Sequence, residues 1–360
     1  MYRGGSVLLM VIMLLSGCSF FEKEDDGIQA DDAVHLQPNV EVIAERLSVP
    51  WSIDKIGESF YLSERTGSIV KIENGKIMER QPVQLEKPLA KAAEAGLLGF
   101  VLDPKFTVNQ KAYAYYTYAD DSGGKFNRVV VLRFNGAAGW TEEQILLDRI
   151  PSAAYHHGGR LKIGPDGKLY ITTGDATTPK VAQKLSSLNG KILRMNLDGT
   201  IPSDNPFSNS YVFSYGHRNP QGLAWIGRTL YASEHGQSAH DEINQIQAGG
   251  NFGWPVIQGV EKKAGMEIPL FQSGAVETWA PSGMDAADGK LFVATLRGNA
   301  VLEFDLEQKQ TKPVISGLGR IRDVFIDSDF LYFVSNNTDG RGNPDEKDDK
   351  LYRVRLIELK

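Results

Sequence analysis

A module written six times over constrains this chain more than any other feature of its sequence. The unit is a short strand, a turn, a second strand rich in Tyr, Phe, Val and Ile, a polar glycine-containing loop and a strand of alternating apolar residues. Copies begin at Trp51 (WSIDKIGESFYLSER), Gly96 (GLLGFVLDPKF), Gly159 (GRLKIGPDGKLYITTGD), Gln221 (QGLAWIGRTLYASEHG), Ser282 (SGMDAADGKLFVATLRG) and Arg322 (RDVFIDSDFLYFVSNNTDG). Their spacing averages roughly 50 residues, the size of a four-stranded blade. The pattern predicts an all-β chain, a six-bladed β-propeller of four-stranded antiparallel blades over residues 39–360. A double β-sandwich is also all-β, but it does not repeat at this period. Asp166-Gly167 and Asp288-Gly289 are hairpin-turn signals. Only Pro88 to Ala95 reads as a candidate helix longer than two turns.

Charge and cysteine usage narrow the functional classes. With 39 Lys+Arg against 45 Asp+Glu, the net charge of -6 excludes a nucleic-acid partner held by a broad basic surface. The single cysteine excludes an intramolecular disulfide, a thiolate zinc site and a CxxC redox pair. That residue is Cys18, and it closes an apolar run from Val7 to Leu15 that follows Arg3. The run is too short to span a bilayer and has the shape of a signal peptide. Leu15-Ser16-Gly17-Cys18 resembles the lipobox of bacterial lipoproteins. The expectation is a signal peptide over residues 1–17, a lipidated Cys18, an acidic solvated tether over 18–38, and a folded domain outside the cytoplasmic membrane, held to it by lipid alone.

In a blade whose strands run up and down, the loop entering the first strand and the loop leaving the second emerge on the same face. The entering segments carry Glu94 (AEAG), His156 and His157 (YHHGGR), Arg218, Asn219 and Gln221 (YGHRNPQG), and Arg320 and Arg322 (GRIR). The leaving segments carry Asp175 (TTGDATT), Gly236, Gln237 and Asp241 (SEHGQSAHDE) and Arg297 (TLRG). Five of the six histidines and a run of arginines therefore converge on one mouth of one tunnel.

A histidine there is the natural general base near neutral pH. His156 is the candidate, and Asp175, from the partner strand of the same module, is placed to orient it. Arg218, Arg297, Arg320 and Arg322 offer guanidinium forks that match carboxylates, which implies a compact polyanionic ligand. Backbone carbonyls of the Glu234-His235-Gly236-Gln237 loop suit a hard cation such as Ca²⁺.

These residues carry a resemblance that runs from Leu47-Ser48-Val49-Pro50-Trp51 to the last strand. The ordered motifs are GLLGFVLDPKF, HHGGRLKIGPDGKLYITTGD, LNGKILRMNLDG, YGHRNPQGLAW, DEINQIQAGGNFGWP and GRIRDVFI. Together they resemble the soluble quinoprotein sugar dehydrogenases of the glucose/sorbosone and aldose sugar dehydrogenase family. The resemblance implies a six-bladed propeller that binds pyrroloquinoline quinone (PQQ), a flat tricarboxylate, together with Ca²⁺. It also implies oxidation of the C1 hydroxyl of aldoses, followed by an electron acceptor that no motif identifies. Carried over by motif, His156 resembles the base, with Asp175 and Asp241 as supporting carboxylates. Arg218, Asn219, Gln221, Arg297, Arg320 and Arg322 correspond to cofactor and substrate contacts, and Gly236 and Gln237 to carbonyl ligands of the active-site Ca²⁺.

Four departures stand out. Arg297 replaces a lysine and keeps its charge; Gln237 replaces a proline and keeps its carbonyl. Lys262 and Lys263 stand where some members place acidic ligands of a second calcium, so no second site is expected. Glu94 replaces a glutamine, and a carboxylate beside an anionic cofactor weakens binding unless it is protonated or paired. Two other functions compete on this reading: a propeller that has lost PQQ and binds sugar or protein without turnover, favoured by Glu94, and a hydrolase with a metal held by His156, His157, His217, His235 and His240. The second is weakened because adjacent His156 and His157 point to opposite faces of an extended chain.

Overall fold

Twenty-four short strands make up nearly all the regular structure of residues 38–359, which are the residues that the computed structural model describes. Cys18, the leader and all but the last residue of the expected tether lie outside them. After β1 (Glu41–Ala44), the six modules follow in order. The first holds β2 (Pro50–Ile56), β3 (Ser59–Glu64), β4 (Ser68–Glu73) and β5 (Lys76–Gln84); the second β6 (Leu97–Leu102), β7 (Lys111–Ala119), β8 (Lys125–Phe134) and β9 (Trp140–Pro151). The third holds β10 (Leu161–Ile163), β11 (Leu169–Thr173), β12 (Lys191–Met195) and β13 (Val212–Tyr215); the fourth β14 (Pro220–Ile226), β15 (Thr229–Glu234), β16 (Glu242–Ile246) and β17 (Phe271–Gln272). The fifth holds β18 (Pro281–Ala287), β19 (Lys290–Thr295), β20 (Ala300–Asp305) and β21 (Gln310–Ser316); the sixth β22 (Ile321–Asp327), β23 (Phe330–Ser335) and β24 (Leu351–Arg355).

Within each module the strands pair antiparallel in chain order. The sixth borrows β1, which pairs with β24 in the register Glu41↔Arg353, so strands from the two ends of the domain close one sheet. The inner strands of successive modules pack on one another, first strand on first strand except that β14 meets β11, and β22 returns onto β2, which makes a closed, propeller-like ring. The sheets number five rather than six: edge strands β5 and β9 pair in parallel through Val83↔Trp140 and Gln84↔Thr141, joining the first two modules into one eight-stranded sheet. Pairing two edges covers backbone groups that would otherwise face water.

Two local expectations resolve differently. Asp288-Gly289 forms a two-residue hairpin turn with both residues at positive φ (50° and 76°), as a primed turn requires. Asp166-Gly167 belongs to a longer turn closed by Gly164 N–H on the Lys168 carbonyl (2.9 Å). Pro88 to Ala95 is not helical, because Ala90 N–H donates to the Thr117 carbonyl (2.9 Å) and Leu89 bridges Tyr118, which lays the segment along β7. Among the described residues the α-helix is a four-residue turn, α1 (Phe106–Asn109).

The apolar cores lie between neighbouring sheets, as in the cluster of Trp51, Leu98, Tyr115, Leu161, Ile171 and Leu193. A buried ion pair ties first strands of different modules together. Arg160 Nη1 lies 2.9 Å from Asp323 Oδ2, its Nε donates to the Gln221 carbonyl (2.8 Å), and its guanidinium sits 4.2 Å from the Trp51 ring. Gly283 is required beside it, since a Cβ there would fall 1.6 Å from Asp323 Oδ1.

Candidate active site

Trp51 and Gln221, which touch Arg160, also line a cavity of about 290 Å³, at the low end of the range for small-molecule sites. The entering and leaving loops bring all the expected residues to its wall except Asp175 and Gln237. The wall carries six arginines (Arg65, Arg218, Arg297, Arg320, Arg322, Arg341) against the carboxylates of Glu94 and Asp241.

His156 stands in this wall as half of a dyad. Its Nδ1 is 2.7 Å from Asp175 Oδ1, and its Nε2 is 3.0 Å from Arg218 Nη2. Because a carboxylate and a guanidinium N–H face the two nitrogens, the proton belongs on Nδ1 and the lone pair on Nε2. Asp175 is wholly buried directly behind the ring, where Oδ1 also accepts Thr177 N–H (2.8 Å) and Oδ2 accepts Trp254 Nε1–H (2.8 Å). Gly174 permits this approach: a Cβ there would lie 2.0 Å from the His156 carbonyl oxygen. His157 also borders the cavity but is buried, with Nδ1 2.9 Å from Ser152 Oγ and 3.2 Å from Asn127 Oδ1. Burial pushes it down to about 4, so it is neutral at pH 7.

Asp241 does not support His156. Its Oδ1 accepts Gly236 N–H (2.9 Å), and its Oδ2 accepts Thr278 Oγ1–H (2.7 Å), Trp279 N–H (2.6 Å) and Ala280 N–H (2.8 Å). The carboxylate is spent tying the Gly236 loop to the entrance of β18. Gly236 lines the cavity, and the carbonyl oxygens of Ala239 and His240 lie 2.1 and 2.3 Å from where its Cβ would stand. The Gln237 carbonyl accepts Ala239 N–H (2.8 Å). The loop thus curls oxygen-rich, which is the donor type a hard cation takes. Among the described residues no three His, Cys, Asp or Glu side chains cluster as a metal centre, so the five histidines do not form one donor set.

The arginines are only partly neutralised. Arg320 donates through Nε and Nη2 to Asp339 Oδ2 (3.1 and 2.7 Å) and through Nη1 to the Leu296 carbonyl. Arg322 hydrogen-bonds to neutral groups, Asn336 Oδ1 (3.1 and 2.9 Å) and Gln221 Oε1 (3.0 Å), with Asp339 Oδ2 farther off at 3.8 Å from its Nη2. Burial pushes it down to about 9; Asp339 opposes the shift, while Arg320 and Arg65 add to it. Burial lowers Arg65 and Arg218 as well. Asn219 Oδ1 accepts Gly158 N–H (3.0 Å), and the exposed Arg297 side chain has no hydrogen-bond or ion-pair partner among the described residues. Glu94 is not the free carboxylate its sequence position suggested: Oε1 accepts Arg341 Nη1–H (3.0 Å) and Oε2 accepts His156 N–H (3.1 Å). Burial raises Glu94, but Arg341, His157 and His235 outweigh it and hold the carboxyl below its ordinary range.

Residues 47–353 match the glucose/sorbosone dehydrogenase family. The chain belongs to that family. It is 33% identical over 322 residues to the quinoprotein glucose dehydrogenase B of Acinetobacter calcoaceticus, covering 78% of this chain and 66% of that relative. It is 29% identical over 344 residues to an aldose sugar dehydrogenase of Escherichia coli, covering 84% of this chain and 91% of the relative. The PQQ-bound form of the aldose sugar dehydrogenase of Streptomyces coelicolor superposes with a TM-score of 0.81 at 33% identity, over 88% of this chain and 97% of that one.

In this glucose/sorbosone dehydrogenase family member, sequence reasoning missed three site residues. Arg65 directly follows β3, in the same loop of its module that carries Asp175 and Arg297 two residues after β11 and β19, and Arg341 lies in the long loop after β23. Applying the leaving-loop rule to the first and last modules would have found both. Trp254, which holds Asp175 from 79 residues away, gave no local signal beyond its place in the GNFGWP motif.

Proposed function

We propose that this protein is a quinoprotein that oxidises the C1 hydroxyl of aldose sugars, with PQQ and Ca²⁺ as cofactors and His156 as general base. The His156–Asp175 dyad set in an arginine-walled cavity carries the reading. The wall fits a tricarboxylate: burial lowers Arg322, Arg65 and Arg218 by disfavouring their charged forms, a cost that a bound anion would relieve. Arg218, Arg297, Arg320 and Arg322 would hold the carboxylates, with Asn219 and Gln221 at the base of the cavity. The carbonyls of Gly236 and Gln237 would hold Ca²⁺. When bound, PQQ supplies the two-electron oxidant and Ca²⁺ the Lewis acidity.

What the chain itself supplies is proton handling. Asp175 fixes the tautomer with Nδ1–H toward itself, so the Nε2 lone pair faces the cavity. A sugar hydroxyl replacing Arg218 at Nε2 gives its proton there, and Asp175 stabilises the imidazolium that results. The names of the Acinetobacter, Escherichia and Streptomyces relatives support the substrate class. The non-catalytic reading rested on Glu94 repelling the cofactor, and its pairing with Arg341 removes that support.

The proposal extends to architecture and location. We read the eight-stranded sheet as two blades sharing an edge, which keeps six blades of four strands, and we read Cys18 as the lipid attachment point of an extracytoplasmic protein. The decisive experiment adds PQQ and Ca²⁺ to the purified protein and follows dye-linked oxidation of a panel of aldoses. A quinone absorbance change with aldose-dependent dye reduction is expected. No PQQ binding in the presence of Ca²⁺ overturns the proposal.

A further inference from the structure

We infer that Glu94 and Arg341 form a clamp that positions His156, a role that rests on reading His156 as the base. His156 adopts φ 64°, a left-handed conformation that is strained for a non-glycine residue. Something must hold it there. Its ring is held by Asp175, and its carbonyl accepts Ala176 N–H (3.3 Å). Its amide donates to Glu94 Oε2 (3.1 Å) and has no other acceptor among the described residues.

Glu94 is fixed from two directions. Its own N–H donates to the Ala154 carbonyl (3.2 Å), which lays residue 94 alongside the segment leading to His156. Its Oε1 accepts Arg341 Nη1–H (3.0 Å), from a residue 247 positions later in the chain. The Arg341 guanidinium also lies 5.7 Å from the centre of the Tyr155 ring, so one side chain touches both the residue before His156 and the carboxylate bound to the His156 amide.

The clamp is tied to the arginine wall. Arg341 N–H donates to Asp339 Oδ1 (2.9 Å), and Asp339 Oδ2 receives the Arg320 fork. The loop that carries them is pinned by Asn337 N–H on Asp349 Oδ1 (2.5 Å). A carboxylate serves here where an amide would serve less well. A glutamine oxygen could accept the His156 amide, but it would not bind the guanidinium as an ion.

Purified Glu94→Ala, Glu94→Gln, Arg341→Ala, Arg341→Lys and Glu94→Ala/Arg341→Ala proteins test this, with thermal unfolding to establish folding. Two readouts are needed: kcat, KM and PQQ affinity of the reconstituted proteins, and the ¹⁵N imidazole signals of His156 without cofactor. Displacing a base by about 1 Å can cost roughly 10²-fold in rate. Glu94→Ala and Arg341→Ala are each expected to lower kcat by about 10- to 100-fold, with KM and PQQ affinity within about threefold of wild type. Glu94→Gln and Arg341→Lys should each recover part of the loss, and the double variant should be no worse than the poorer single one. In the cofactor-free proteins the single His156 tautomer should give way to a mixture. A kcat within about twofold of wild type with unchanged His156 signals in folded Glu94→Ala or Arg341→Ala, or a loss traced wholly to PQQ affinity, overturns the clamp. If wild type oxidises no aldose while the His156 signals respond as expected, the clamp stands and the dehydrogenase reading falls. Should an alanine variant fail to fold, Glu94→Gln and Arg341→Lys carry the same comparison.

Discussion

Replacing Asp175 by Asn isolates the charge behind the base while keeping its shape. Asp175 faces donors alone: His156 Nδ1 at 2.7 Å, Thr177 N at 2.8 Å and Trp254 Nε1 at 2.8 Å. An amide has one acceptor oxygen to offer them. With the oxygen toward His156 and Thr177, only the Trp254 N–H meets another donor. With the oxygen toward Trp254, the NH₂ faces Thr177 N–H and drives His156 into the tautomer whose Nε2–H confronts Arg218. The first orientation leaves fewer donors unpaired and wins by about 1 to 3 kcal/mol, so the tautomer survives. What is lost is the negative charge beside the imidazolium, worth about 4 kcal/mol at a separation of about 4 Å and an effective dielectric of about 20. If half to all of that is felt in the transition state, kcat falls by roughly 30- to 10³-fold. Stability falls by only about 1 to 3 kcal/mol for the stranded Trp254 N–H. Steady-state aldose oxidation by the PQQ- and Ca²⁺-loaded variant, with denaturant unfolding alongside, checks both numbers. Activity within about threefold of wild type in a folded variant would refute the dyad's role in proton transfer.

His156→Ala should lower turnover by at least about 10²-fold with PQQ and Ca²⁺ binding largely intact, measured by absorbance titration. His157 predicts a pH dependence of stability instead. Burial pushes it down to about 4 from 6.5, so between those values the unfolded chain takes up a proton that the folded protein does not. Its contribution is therefore complete above about pH 6.5 and falls with acidification, by about 2 kcal/mol at pH 5. Urea titrations of wild type and His157→Asn at pH 7 and 5 check this, and an equal loss in both contradicts it. Buried Lys191 donates to the Val181, Ala182 and Asn189 carbonyls (3.1, 2.9 and 2.7 Å). Lys191→Met should cost about 2 to 4 kcal/mol by stranding these oxygens, read as a lowered unfolding midpoint. For the leader, Cys18→Ala should move the protein from the membrane to the soluble fraction, and equal release of both forms would remove the lipid anchor.

What could be read from the chain before its structure follows from the range of each interaction. First and second strands announce themselves through alternation and turns within about ten residues, so the starts of all six modules fall at β2, β6, β10, β14, β18 and β22. The joining of β5 to β9 involves two pairs of residues between edge strands, and the closure by β1 involves four residues of ordinary strand composition; neither leaves a periodic signal. In the site, the face on which a residue emerges is a local property, which is why His156, Asp175 and most of the arginines were found. The partner it meets there is not local. Asp241 and Asp175 both follow second strands, yet one carboxylate turns to the Thr278 hydroxyl and the backbone N–H groups of Trp279 and Ala280, and the other to an imidazole. Glu94 makes the point most sharply. Its charge was legible and pointed to repulsion of an anionic cofactor, but the cation that answers it comes from the sixth module, 247 residues away. A charge that looked like damage to the cofactor site is one half of an ion pair whose other oxygen holds the His156 amide. The substitution therefore bears on the geometry of the base more directly than on the binding of the quinone.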